Sequence, residues 1–231
     1  MIFFKRCRVR SRLRLLVAGA CLWLAGVLPA SVNAAECAIP ARQPSFEIRV
    51  GSPAVTYDFS QERPAMTKLA VDGSVRVGKG HSPVGLTMMG YDFTVTTETD
   101  TMHSGDVYCA SLRSVVVNLG IKVLKVLVDR RYAAGSCEQE TILEHEHKHV
   151  EITREAPRYY AREVSEKVEA MLRPRVLQLA SLEEARTVYA PMIRAELQPL
   201  FQAIRDRAAE RNAQLDEREG DASKLHRCEH W

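Results

Sequence analysis

Up to about residue 131 the apolar positions alternate with polar ones or come in short β-branched bursts, and beyond residue 136 they recur every three to four residues. The first pattern predicts strands and the second predicts helices. Val55 to Phe59 alternates, Tyr91 to Thr97 is rich in aromatic and β-branched residues, and Leu69 to Val77 surrounds Asp72-Gly73 as a hairpin would. The runs Val107 to Val117 and Ile121 to Arg131 flank Asn118-Leu119-Gly120, which predicts a long hairpin with a three-residue turn. Ser136, with Gln139 three residues on, makes a capping box that opens a helix reaching about Ala156. From Arg158 onward nearly every stretch reads as helix, and Pro157, Pro174, Pro191 and Pro199 are each placed to start, kink or stop one. The expected fold class is α+β: an antiparallel β-sheet region, then the helix after Ser136, then a mostly helical C-terminal part. There is no internal repeat or low-complexity tract.

The helix after Ser136 carries the chemistry. At about 100° per residue, Ile142, Leu143, His145, Glu146, His149, Val150, Ile152, Thr153 and Ala156 fall on one half of it. Two imidazoles and a carboxylate thus sit in the middle of an apolar face. Burying them unpartnered costs roughly 1–3 kcal/mol for each polar group and more for a charge, a cost that a bound divalent cation removes. The run from His145 to His149 is an H-E-x-x-H motif, in which histidines four apart offer two nitrogens to one metal and the intervening Glu146 serves as general base. A buried histidine is more commonly a hydrogen-bonded core residue, but the spacing and the intervening glutamate favour a metal. His147 lies about 200° from His145 and reads as surface. So does Lys148, with Glu144 four residues before it and Glu151 three after.

The N-terminus alters the charge balance. Residues 1–35 read as a signal peptide: Lys5, Arg6, Arg8, Arg10, Arg12 and Arg14 precede an apolar core from Leu15 to Leu28 and a small-residue cleavage site ending at Ala34 or Ala35. That core is short for a membrane span, so the expectation is cleavage and export to the periplasm or beyond, with no membrane span afterwards. Losing those six of the 32 basic residues leaves 26 against 29 acidic ones, a net charge of −3. Nothing then points to nucleic acid, and the mixed charges from Arg205 to Glu219 read as a solvated helix. Cys37, Cys109, Cys137 and Cys228 remain after cleavage, enough for two disulfides in an oxidising compartment. The expected pairing is Cys109 with Cys137, fixing the helix to the sheet, and Cys37 with Cys228, tying the ends.

The stretch from Cys137 to Ile152, CEQETILEHEHKHVEI, resembles a bacterial family of unknown function described as secreted zinc-dependent proteases. The resemblance covers about Val107 to Leu172 and implies gluzincin-like metallopeptidase chemistry, with His145 and His149 as ligands and Glu146 as base. The chain departs from the wider zincin pattern at His147 and Lys148, where an apolar and an uncharged residue are usual. The domain organisation expected is a signal peptide over 1–35, a zincin-like α+β domain over 36–190 and a C-terminal helical extension over 191–231.

A third ligand must come from another element, because Ile152 and Ala156, next along the same face, cannot bind metal. If Pro157 marks a helical hairpin, Glu163 and Glu166 return beside the histidines, which makes Glu163 the candidate. As the alternative, these two glutamates form a solvated stripe with Lys167; His81 and His103 are remoter candidates. The functional expectation is an exported Zn²⁺-dependent metallohydrolase, a peptidase acting on a peptide or protein substrate. The rival expectation is a non-catalytic periplasmic zinc-binding or protein-interaction module.

Overall fold

The apolar run from Val107 to Val128 forms one 22-residue strand, β4, on which the rest of the sheet is assembled. A computed structural model describes residues 37–73, 82–219 and 227–228. The expected signal peptide and His81 lie outside the described residues. In chain order the elements are β1 (Ser45–Gly51), β2 (Thr56–Asp58), α1 (Arg63–Asp72), β3 (Gly85–Ser104), β4, α2 (Cys137–Met171), β5 (Val176–Leu179), α3 (Leu182–Thr187) and α4 (Tyr189–Arg218).

The sheet is not the antiparallel one expected. β1 and β2 both run parallel to β4, whereas β3 and β5 pair with it antiparallel. Alternation along a strand reports which residues are buried and is blind to the direction of the neighbour, so the parallel pairings left no local mark. The two hairpins that suggested the antiparallel sheet are also corrected. Leu69 to Asp72 belongs to helix α1, closed by the Gly73 N–H donating to the Leu69 carbonyl at 2.9 Å. The second arm of that expected hairpin, residues 74–77, falls outside the described residues. Asn118-Leu119-Gly120 is mid-strand: a Cβ on Gly120 would stand 2.9 Å from the Asp92 carbonyl oxygen of β3, so the glycine marks a close approach of backbones and not a turn. The real hairpin joins β3 to β4 through Gly105 and Asp106, with Gly105 at φ 59°.

Burial in β4 follows the odd positions Val115, Val117, Leu119 and Ile121, then switches to Leu124, Val126 and Val128. The switch lies opposite the register shift at Gly90/Tyr91. One face of the sheet packs on α2 and α4: Val115, Val117, Leu119 and Phe93 meet Ala156, Val164 and Val168 of α2 and Leu197, Phe201 and Ile204 of α4. Leu127, pointing to the opposite face, packs with Met66 and Ala70 of α1. The segment expected as a C-terminal extension therefore contributes much of the principal core. Among the described residues no helix is long and apolar enough to cross a membrane.

α2 runs for 35 residues through Pro157, past the end expected near Ala156 and without the hairpin on which Glu163 depended. Proline removes the N–H that would bond the Thr153 carbonyl, and the Tyr91 hydroxyl donates to that carbonyl instead, at 3.1 Å. Burial pushes the Tyr91 phenol up to about 12, which keeps its proton available as the donor. Glu163 consequently stays on the same helix, exposed and about 21 Å beyond His149 by helical rise, and is corrected as the third ligand.

Two disulfides close the fold, and both pairings differ from those expected: Cys37 joins Cys109, and Cys137 joins Cys228. Cys109 sits on β4 where β5 pairs, and Cys37, at the start of the described residues, reaches it instead of helix α2. The Cys137 end of α2 instead meets the C-terminal segment, where Arg227 also pairs with Glu144 at 2.8 Å.

Candidate metal centre

Ser136 fixes the start of α2. Its hydroxyl accepts from the Gln139 N–H at 3.2 Å, and Gln139 Oε1 accepts from the Gly135 N–H at 2.9 Å. This capped start sets the rotation of the helix, and the face read from the sequence is buried: His145 is 5% exposed, Glu146 4% and His149 9%. His147 is exposed, as expected, with its Nε2 2.8 Å from the Tyr57 hydroxyl.

The third group comes from α4. Asp216 Oδ1 lies 3.2 Å from His145 Nε2 and 3.0 Å from His149 Nε2, and the two Nε2 atoms are 3.1 Å apart. The other nitrogen of each ring faces an oxygen: His149 Nδ1 is 2.9 Å from Asn212 Oδ1, and His145 Nδ1 is 3.4 Å from Glu219 Oε2. Each Nδ1 faces an oxygen that can only accept, and each Nε2 faces Asp216 Oδ1, which also only accepts; without a cation a ring meets both by carrying a proton on each nitrogen, and with one the Nδ1–H is kept while the Nε2 lone pair turns to the ion. Three electron pairs thus converge within a triangle whose sides are 3.0–3.2 Å. They repel unless a proton or a cation lies among them. A tetrahedral ion with bonds of 2.0–2.1 Å has ligand-to-ligand edges of about 3.3 Å, so the triangle is close to one face of such a site. His145, His149 and Asp216 can hold a metal ion.

The electrostatics match this donor set. Burial opposes a charge on His149, but the Asp216 hydrogen bond, the Glu146 charge and Asn212 outweigh it and raise its pKa above the ordinary value. Burial also opposes the Asp216 charge, yet hydrogen bonds from His145 and His149 hold its carboxyl well below the usual range. The centre is therefore built to accommodate positive charge.

Glu146 takes no part in the triangle. It points to the start of β3, where the Thr87 hydroxyl donates to its Oε2 at 2.7 Å and lies 3.2 Å from its backbone carbonyl. A Cβ on Gly85 would stand 2.5 Å from Glu146 Oε1 and 2.6 Å from the Ile142 side chain, so the absence of a side chain there makes room for the carboxylate. Gly85→Ala is expected to cost about 1–3 kcal/mol by overpacking and to displace Glu146 without loss of metal. Denaturant unfolding together with metal content checks this; an unchanged midpoint would show that the carboxylate has slack.

Reasoning from the sequence missed Asp216, Asn212 and Glu219, which were read as part of a solvated helix. One signal was available. Leu197, Phe201, Ile204, Ala208, Asn212 and Leu215 form the buried stripe of α4, and Asn212 is the one polar member of that run. Asp216 and Glu219 follow Asn212 by four and seven residues on the same face. His103 lies on β3 with its ring tilted against that of Tyr108 at 4.7 Å and is not part of this group, and Lys148 bridges Glu219 at 2.8 Å and Glu144 at 3.5 Å. Compared with family models, with curated proteins and with solved structures, the chain matches none.

Proposed function

We propose that this chain is an exported zinc-dependent metallohydrolase, acting as a peptidase. The observation that carries the reading is the convergence of His145 Nε2, His149 Nε2 and Asp216 Oδ1, with a buried, non-ligating carboxylate one residue from the first histidine. Two imidazoles and one carboxylate suit zinc, and three protein ligands leave a tetrahedral ion one open position. A zinc ion held by His145, His149 and Asp216 would supply Lewis acidity and make water a usable nucleophile near neutral pH. The resemblance of residues 137–152 to secreted zinc-dependent proteases points the same way, and two disulfides accord with export.

The remaining work falls to protein side chains. Thr87 holds Glu146 by Oε2, leaving Oε1 to take the proton of the attacking water and hand it to the departing amine nitrogen as the peptide C–N bond breaks. Among the described residues β3 pairs with β4 alone; Arg194 takes the Phe93 carbonyl further along, so an extended peptide would add to the start of β3, which lies beside Glu146 at Gly85 and Thr87.

The test is Glu146→Gln in parallel with wild type, reading zinc content and cleavage of an unbiased peptide library. Zinc should stay bound while cleavage falls by roughly 10² or more, because the amide keeps the shape but cannot take the proton. A zinc-loaded wild type that cuts nothing, or a variant that cuts equally well, would instead support a non-catalytic zinc-binding or protein-interaction module.

A further inference from the structure

We propose that Asn212 is a positioning residue for the metal centre: its side-chain oxygen holds His149 in the Nδ1–H form, so that the Nε2 lone pair is presented to the ion. The inference rests on the metal reading above and adds to it a residue that touches neither metal nor substrate. Asn212 Oδ1 lies 2.9 Å from His149 Nδ1, and the residue is 9% exposed. It stands one turn before Asp216 on the stripe that is otherwise Leu197, Phe201, Ile204, Ala208 and Leu215. Packing alone would favour a further leucine there. The amide is not retained for its donor, since its buried Nδ2 has no hydrogen-bond partner. What the position uses is the oxygen.

The opposite amide orientation shows what that oxygen prevents. An NH2 group facing Nδ1 would move the ring hydrogen to Nε2, into the triangle formed with His145 and Asp216, and a protonated Nε2 cannot ligate. Glu219 stands in the same relation to His145, but at 3.4 Å and shared with Lys148 at 2.8 Å. It is the weaker of the two supports, and Asn212 carries the greater effect.

The experiment measures zinc affinity of the oxidised protein by competition with a chromophoric chelator, for wild type, Asn212→Leu, Asn212→Asp and His149→Ala. Thermal midpoints of the metal-free proteins are recorded in parallel. Leucine keeps the Cγ branching and heavy-atom count of asparagine, at a larger volume, and completes the apolar stripe but cannot accept a hydrogen bond. It should weaken zinc binding about 10- to 100-fold, beyond whatever lowering of the metal-free midpoint the lost Nδ1–H acceptor causes. Aspartate can only accept, so it should bind zinc at least as tightly as wild type. Wild-type affinity in Asn212→Leu would overturn the proposal, and so would equal weakening in the leucine and aspartate variants, which would mean that Asn212 matters only as packing. If Asn212→Leu fails to fold, the aspartate variant decides: weakened binding there overturns the proposal and retained binding supports it. A wild type no better than His149→Ala would overturn the metal reading itself, and this proposal with it.

Discussion

Alanine at His145, His149 or Asp216 should abolish stoichiometric zinc and lower the thermal midpoint, whereas alanine at His147 should leave metal content almost unchanged. The first three side chains supply the atoms that converge within 3.0–3.2 Å, and His147 lies exposed on the other side of α2 beside Tyr57. Zinc that binds the folded chain and not the unfolded one stabilises by about 4 kcal/mol when present at a thousand times its Kd, which is the scale of the loss expected. Metal analysis and thermal unfolding with and without chelator measure both effects. Equal zinc loss in all four variants would mean a loose surface cluster, and retention in Asp216→Ala would place the third ligand elsewhere. The metal-free protein should also respond to pH with a definite sign. His149, raised above its ordinary 6.5, contributes stability below that value that is lost as pH rises through the raised pKa. Asp216, depressed below its ordinary 3.8, contributes stability above that value that is lost as pH falls toward the depressed pKa. The pair therefore helps the metal-free fold most between about pH 4 and 6.5, and chelation should be most damaging above that window.

Removing the Cys137–Cys228 bond by replacing both cysteines with serine is expected to lower stability by about 4–5 kcal/mol and to weaken zinc binding. The bridge closes a separation of 91 residues, for which loop entropy alone gives that figure. It also fastens the start of α2 to Cys228, beside which Arg227 meets Glu144, next to the helix that carries His145 and His149. Removing Cys37–Cys109, with a separation of 72, should cost similar stability but leave zinc affinity unchanged, because that bond joins the start of the chain to β4. Denaturant unfolding and zinc competition on the two double variants make the comparison. Equal zinc affinities would show that the α2–α4 contact holds without the covalent tie.

Half of the metal centre was legible in one stretch of chain. His145, Glu146 and His149 share a face because four residues nearly complete a turn, and the apolar residues around them marked that face as buried. The cap at Ser136 and the surface position of His147 were readable for the same reason: each depends on residues within a turn or two. Asp216 was not legible, since it lies 71 residues from His145 and its role exists only because α4 folds back along α2. Pro157 misled because its local rule is to break a helix, and the group that rescues the Thr153 carbonyl, Tyr91, comes from 62 residues away. Gly120 misled in the same way, marking a close approach to β3 where it suggested a turn. By itself the sequence determined the strands around residues 91–128, the helix after Ser136 with its phase, and the two imidazoles with their carboxylate, all consequences of periodicity along a single element, while it misread α1 as a hairpin arm and β5 as helix. Only the tertiary structure decided the directions of β1 and β2 against β4, the disulfide partners and the third member of the group that could hold a metal, because each of these is a contact between segments whose local patterns are the same whichever partner they meet.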